Sequence, residues 1–443
     1  MASYKPLAAS AGEAVRQAPV PVAADSPCPY CGSITIPNGG DALAYICPVC
    51  LWEIDPFLTG PEEPSDQNHG LTLNQARAHY RAGGVCLPRL KQACHPPEGE
   101  ERPLAWLPKK LLPLYKQAAR DLPWRRDRDP YHVWLSEIML QQTRVEAVKG
   151  YYARFLEALP TVQALAECDP DRLLKLWEGL GYYNRARNLQ KAARLVAEAG
   201  SFPDTYEGLL ALPGVGEYTA GAVASICFGR PVAAVDGNVL RVLSRFLADP
   251  APVSDPAVKK RAKAALETVY PAECPGNFTQ ALMELGATVC GPNGPPDCGA
   301  CPLKGQCAAF LAGKAADFPK KEAKKPRKVQ DRTVFLLRCG GRLALEKRPA
   351  RGLLAGLWQL PNVEGALSAR QALEQAAAWG TEPHDVLTQR HRKHIFTHIT
   401  WEMEGFELAC GREDPRFVWA TPEQLENDHA LPTAFRQFLE DTI

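Results

Sequence analysis

The sequence predicts a multidomain protein, with a small cysteine-rich module in front, a mainly α domain in the middle and a mixed α+β domain at the end. Three observations carry this. Two CxxC pairs, CPYC and CPVC, stand within residues 28–50. From about 104 to 310, apolar residues recur at three- and four-residue spacing with few β-branched runs, which is the period of packed helices. Beyond a basic stretch the texture changes to strand-like runs around a Cys-Gly-Gly turn. At roughly 100–200 residues per domain, 443 residues accommodate two to four domains.

Charge is uneven. Residues 1–100 hold 6 Lys/Arg against 10 Asp/Glu, a balance of −4, and the rest holds 45 against 40, a balance of +5. An acidic front therefore masks a mildly basic body, compatible with a nucleic-acid footprint. No stretch is long and apolar enough to span a membrane, and the opening MASYKPLAASAGEAVRQAPV lacks the apolar core of a signal peptide. The protein is expected to be cytoplasmic.

Residues 1–24, rich in Ala and Pro, are expected to form a disordered tail. Residues 25–95 contain Cys28, Cys31, Cys47 and Cys50, spaced C-x2-C-x15-C-x2-C. Each CxxC turn aims two sulfurs at one point, so paired turns at this spacing predict a zinc site. A module of this size has too little core to stand without such a staple. The presence of two pairs disfavours a redox role for either. Seven further cysteines (86, 94, 168, 227, 274, 339 and 410) are scattered and read as ordinary thiols. A Pro-rich charged stretch around Pro96 to Pro103 reads as a linker.

In the helical part, WLSEIMLQQT (134–143) sets Glu137 among large apolar residues. If one helix runs on through Val148, Trp134, Leu135, Ile138, Val145 and Val148 share an apolar face, and Glu137, Gln141 and Arg144 form a polar strip. That strip is either a solvated face or the lining of a cleft. In a cleft, apolar walls raise the pKa of a carboxylate, which suits a general acid. In LPGVGEYTAGAVAS (212–225), Pro213, Gly214 and Gly216 make a tight turn opening into an Ala-rich helix, where free N–H groups can receive a phosphate. In VDGNVLRVLSR, Asp236 stands at a helix mouth, either as a plain N-cap or as a second carboxylate. Cys290, Cys298, Cys301 and Cys307 follow as C-x7-C-x2-C-x5-C, a set of four thiolates that suits zinc among other metals.

Residues 314–330 form a basic linker; KAADFPKKEAKKPRKVQDR (314–332) has eight basic residues against three acidic ones and could touch phosphates. From 331, RTVFLLR, a Cys-Gly-Gly turn and RLALEKR read as a hairpin, and FTHITWEMEGFEL reads as further strand.

Five stretches occur in order: DPYHVWLSEIMLQQTRV, GLGYYNRARNL, LPGVGEYTAGA, VDGNVLRVLSR and NFTQALMELGATVC. Together they resemble adenine DNA glycosylases of the MutY family, within the helix-hairpin-helix superfamily, over about 104 to 443. The resemblance implies a helix-hairpin-helix glycosylase domain at 104–313 with a 4Fe–4S loop at 290–307, and a Nudix-like domain at 331–443 that recognises 8-oxoguanine. Residues 25–90 also resemble the cysteine-rich CPCC domains, implying a zinc-ribbon-like module. The implied partner is double-stranded DNA carrying adenine opposite 8-oxoguanine or guanine, bound by a nucleoid-associated monomer without membrane contact.

By motif, Glu137 would protonate adenine at N7, and Asp236 would stabilise the oxocarbenium-like sugar or bond to it transiently, the two-carboxylate logic of glycoside hydrolysis. Gln142 and Tyr182, with Gln141 beside them, would belong to the loops that wedge into the duplex and flip adenine out. Arg125 and Gln280 would contact the adenine edge; Asn238 and Arg241 would support Asp236 or the phosphates; Gly214 and Gly216 would meet the backbone. Tyr218 stands where relatives that nick DNA carry a Schiff-base lysine, which implies a monofunctional enzyme. Cys290, Cys298, Cys301 and Cys307 would hold the 4Fe–4S cluster, with a first gap one residue longer than the family's. Phe396, Thr397 and His398 match the family's Phe-Ser-His loop and retain the hydroxyl. NVEGALSARQALEQAAAWG lacks the clustered carboxylates of a working Nudix helix, so that domain reads as a binding module. A related glycosylase acting on another base, such as thymine, and a non-catalytic damage binder are the alternatives.

Overall fold

The computed structural model describes residues 24–37, 42–83, 85–94, 104–320 and 326–439. The tail expected at 1–24 lies outside them except for Ala24, as do the stretch around Pro96–Pro103 and residues 321–325 of the basic linker.

The front module is built on two cysteine knuckles. In the first, Gly32 N donates to Cys28 O at 2.9 Å and Cys28 N to Ser33 O at 2.7 Å, between strands Ala24–Pro27 and Ile34–Pro37. In the second, Leu51 N donates to Cys47 O at 2.8 Å and Cys47 N to Trp52 O at 2.9 Å. The residue after each CxxC is left-handed, Gly32 at φ 76° and Leu51 at φ 61°. A glycine takes this without steric cost, whereas a leucine pays about 1–2 kcal/mol. Tyr30 stacks on Trp52 with ring centres 5.3 Å apart, and Tyr80 of helix Leu73–Gly83 packs its edge against Tyr30.

The middle domain is helical and has two cores. One gathers Trp134, Leu135, Val148, Phe155, Trp177, Leu189 and Val223, from the helices between Pro130 and Phe228. The other gathers Leu107, Leu111, Val239, Phe246, Phe278 and Leu282, from helices Trp106–Ala118, Gly237–Phe246 and Pro275–Thr288. The helix Pro130–Leu140, capped by Asp129 Oδ1 accepting from Tyr131 N at 2.8 Å, is buried on nearly every side. The expected continuation through Val148 does not occur. The chain turns at Gln142, whose φ is 58°, and a new helix spans Val145–Ala158 with Arg144 as its N-cap. Glu137, Gln141 and Arg144 therefore do not make one polar strip, because Gln141 and Gln142 occupy a tight turn and Arg144 belongs to the next element.

The C-terminal domain is a seven-stranded sheet whose main path runs Val418–Ala420, Arg342–Lys347, Lys328–Cys339, Ile399–Cys410, Pro383–Ile395. Helix Ala369–Ala378 covers one face, and Phe435 and Phe438 fill the other. The Cys-Gly-Gly hairpin is present, with Arg338 opposite Leu343 and both glycines at positive φ, as a two-residue hairpin turn demands. The first strand begins at Lys328, inside the stretch assigned to the linker, because Lys328–Arg338 pairs in parallel with Ile399–Ala409. Phe396, Thr397 and His398 form the tip of the hairpin between Pro383–Ile395 and Ile399–Cys410, not part of the strand. Among the described residues, no helix is long and apolar enough to cross a membrane.

Candidate active site

Glu137 is only 5% exposed, which excludes the solvated-face reading of its helix. Burial removes water from its carboxyl and pushes the pKa from 4.5 to about 7. Tyr218 Oη donates to Glu137 Oε2 at 2.6 Å and pulls the pKa down, the Asp236 charge pushes it up, and the Arg125 charge lowers it. Burial also holds the Tyr218 phenol well above 10, so it keeps its proton. The three groups come from three elements: Glu137 from Pro130–Leu140, Tyr218 from Glu217–Phe228 and Asp236 from the mouth of Gly237–Phe246. Glu137 is set in the first core and Asp236 begins a helix of the second, so the pair straddles the seam between them.

Asp236 is an N-cap and more. Its Oδ1 accepts from Val239 N at 2.8 Å and its Oδ2 from Asn238 Nδ2 at 2.7 Å. Arg241 holds Asn238 in turn, donating to Asn238 Oδ1 at 2.7 Å, Gly286 O at 2.7 Å and Cys290 O at 2.8 Å. Arg241 is buried and spends its guanidinium on protein acceptors. Of the two roles expected for it, support of Asp236 fits the structure and a phosphate contact does not.

Arg125 and Gln280 meet through Tyr115, whose hydroxyl donates to Gln280 and whose ring lies 5.7 Å from the Arg125 guanidinium. Arg125 also pairs with buried Glu284 at 2.7 Å, and Arg120 pairs with the same carboxylate at 2.6 Å. Burial alone would raise the pKa of Glu284, but the two guanidiniums outweigh it and hold it below the usual range. Glu284 had no role in the sequence reading, and NFTQALMELGATVC gives no sign that its glutamate is a hub.

A cleft of about 600 Å³ lies between the helical and C-terminal domains. Gln141, Tyr182 and Gly214 line one wall, and Phe396, Thr397 and His398 the other. Tyr182, 49% exposed at φ 47°, reaches across so that its Oη stands 3.2 Å from Thr397 Oγ1. Gln142 and Tyr182 are both left-handed, at about 1–3 kcal/mol each. Arg185, also missed in the sequence, fixes both turns: it donates to Gln141 O at 2.6 Å, to Ile138 O and Leu180 O at 2.8 Å and to Gly181 O at 3.1 Å. The hairpin turn is as expected. Gly214 sits at φ 76°, where a Cβ would come 2.7 Å from Asn188 Cβ, and Gly216 caps the following helix with no side-chain bond.

Cys28, Cys31, Cys47 and Cys50 are all buried, with sulfurs within 4.8 Å of one another. Cys28 Sγ lies 3.6 Å from Cys50 Sγ, and Cys31 Sγ lies 3.7 Å from Cys47 Sγ. A tetrahedron with metal–sulfur bonds of about 2.3 Å has edges of about 3.8 Å, so these four can hold a metal ion. The other set, Cys290, Cys298, Cys301 and Cys307, lines one small apolar cavity with Val242, Leu285 and Leu303. Arg245, buried and unassigned in the sequence reading, donates to Cys290 Sγ at 3.2 Å. The longer first gap folds back on itself, with Asp297 N donating to Val289 O at 3.0 Å.

Comparison with known proteins bears on all three parts. Residues 135–268 match the HhH-GPD superfamily of base excision DNA repair proteins, 333–441 the NUDIX domain and 26–101 the cysteine-rich CPCC family. The adenine DNA glycosylase of Homo sapiens is 36% identical over 395 residues, covering 74% of this chain and 72% of that protein. That of Arabidopsis thaliana is 38% identical over 365 residues, covering 69% of this chain and 58% of that protein. That of Schizosaccharomyces pombe is 32% identical over 398 residues, covering 72% and 85%. Among solved structures, a thermostable thymine-DNA glycosylase aligns with TM-score 0.42 at 29% identity, over 47% of this chain and 95% of that one.

Proposed function

This chain belongs to the adenine DNA glycosylase family, and we propose that it hydrolyses the N-glycosidic bond of adenine paired with 8-oxoguanine or guanine, using Glu137 and Asp236. It is a DNA repair glycosylase with a helix-hairpin-helix domain, a Nudix-like domain and a cysteine-rich module. The observation that carries the catalytic reading is the burial-raised pKa of Glu137, about 7, beside the Asp236 carboxylate. Two carboxyl groups with such different surroundings divide the roles of acid and anion.

Glu137, holding its proton near neutral pH, gives it to N7 of the extruded adenine and turns the base into a leaving group. The electron-poor C1′ left behind is stabilised by the Asp236 carboxylate, which Asn238 and Val239 N hold in place, and water completes the substitution. Tyr218 offers a phenol and no amine, so no Schiff base forms and the product is an abasic site. Gln142 and Tyr182 enter the duplex from strained turns, and the Arg125–Gln280 pair faces the base. Phe396, Thr397 and His398 read the opposite base from across the cleft.

Cys28, Cys31, Cys47 and Cys50 would hold zinc, which folds a module with a small core of its own. Cys290, Cys298, Cys301 and Cys307 would hold a 4Fe–4S cluster, which would order their loop, and Arg241 and Arg245 bond Cys290 to helix Gly237–Phe246 and so to Asp236. Metal analysis for iron and zinc tests both assignments.

The deciding experiment incubates the protein with duplexes carrying A:8-oxoG, A:G, A:T and T:G, then cleaves abasic sites with alkali. Adenine release from the first two, with strands intact before alkali, is expected. Thymine release from T:G would replace this reading with a thymine-specific one, and binding without any release would make the protein a damage binder.

A further inference from the structure

We propose that Glu178 pins the C-terminal domain to the helical domain and thereby sets how strongly the enzyme discriminates the base opposite adenine. The inference rests on the reading of that domain as the sensor of the opposite base. Glu178 directly follows Trp177 of the first core and its side chain is only 12% exposed. Its Oε1 accepts from Leu431 N at 2.7 Å, and its Oε2 accepts from Arg436 Nη1 and Lys175 Nζ, each at 2.8 Å. Lys175, 14% exposed, donates to Leu425 O at 3.0 Å and to His429 O at 3.2 Å. One carboxylate and one ammonium of the helical domain thus capture the segment from Leu425 to Arg436 at four points.

Apolar contacts complete the joint. Leu357 and Ala430 of the C-terminal domain are buried in the core of the helical domain. Trp358, next to Leu357, packs edge-on against His429 with ring centres 4.6 Å apart. The joint therefore reaches the Gly352–Ala355 loop, which walls the cleft together with Phe396, Thr397 and His398.

Two charges that have left water are tolerated only when their hydrogen-bonding groups are met, and removing one partner strands the other. The Glu178–Lys175 pair meets this condition with acceptors and donors from both domains. The Lys347–Asp171 bridge between the same domains does not carry such weight, since its side chains are 46% and 42% exposed. No bond of the pin touches Glu137, Asp236 or Tyr218. Losing it frees the sensor to move relative to an unchanged catalytic pair, so the loss falls on discrimination and not on the chemical step.

The test uses the full-length metal-loaded protein and single-turnover excision from A:8-oxoG and A:G duplexes, with the variants Glu178→Gln, Arg436→Gln and Asp171→Asn. The wild-type protein is expected to excise adenine faster from A:8-oxoG than from A:G. Glu178→Gln leaves the A:G rate within about twofold and lowers the preference by about tenfold or more, within the span of ordinary inter-site coupling. Arg436→Gln gives a smaller loss of preference, and Asp171→Asn none. If Glu178→Gln fails to fold, Arg436→Gln decides by the same ratio. Variants that keep the wild-type preference, or that lose both rates equally, overturn the pin alone. A wild-type protein with no preference overturns the sensor reading, and the pin with it.

Discussion

Glu137→Gln should slow excision severely and at the same time stabilise the protein, by an amount that depends on pH. The native carboxyl has a pKa of about 7 against 4.5 for the ordinary value, so folding binds a proton that the unfolded chain has released. The sign follows. Below pH 4.5 the carboxyl is protonated in both states and its burial costs little. As pH rises from 4.5 through 7, the native state loses stability relative to the unfolded one. At about 1.4 kcal/mol per tenfold change, the cost is about 0.8 kcal/mol at pH 5 and about 3 kcal/mol at pH 7. Glutamine is neutral at every pH, and its carbonyl can still accept from Tyr218. The variant should therefore gain about 3 kcal/mol at pH 7, or about 6–12 °C for a domain of roughly 200 residues, and only about 2–3 °C at pH 5. Calorimetry of both proteins across that range gives the curve, and single-turnover excision gives the loss, about 10²-fold or more for a missing general acid. A variant less stable than wild type at pH 7, or a gain independent of pH, refutes the reasoning.

Tyr218→Phe removes the donor that pulls Glu137 down, so the alkaline limb of the excision profile should move upward by about one pH unit, read from rates between pH 6 and 9. Thr397→Ala should lose preference for A:8-oxoG over A:G while Thr397→Ser keeps it, since only the hydroxyl is at stake. Arg245→Leu strips the buried donor from Cys290 Sγ and should lower the iron content of purified protein, measured by metal analysis. A chelator that removes metal from Cys28, Cys31, Cys47 and Cys50 should unfold the front module, seen as proteolysis within 24–94, and leave excision from A:G unchanged.

The three-part layout was legible because each part announces itself in a different period: paired CxxC turns, helical spacing and strands around a Gly-Gly turn. The seam that brings Glu137 to Asp236 was not written in any local pattern. Only the succession of motifs pointed to it, and WLSEIMLQQT suggested one long helix where Gln142 ends it by a left-handed turn. Of the supporting arginines only Arg241 was named, from its motif; the inward bonds of all three were illegible for a related reason. Arg185, Arg241 and Arg245 stand in sequence like surface cations, yet each is turned inward to bind carbonyls of distant segments. Ile138 O lies 47 residues from Arg185, Cys290 O 49 from Arg241 and Phe318 O 73 from Arg245, and no spacing rule connects them. Glu178 was equally silent, because its partners at Leu431 and Arg436 belong to another domain.

The most direct test of the account is the pH dependence of adenine release from an A:8-oxoG duplex in a single turnover, with Glu137 as the proton donor. The rate should hold below neutrality and fall as pH passes through about 7, with adenine the base released and an abasic site the product. A rate that climbs through the same interval, or release of a different base, would contradict it.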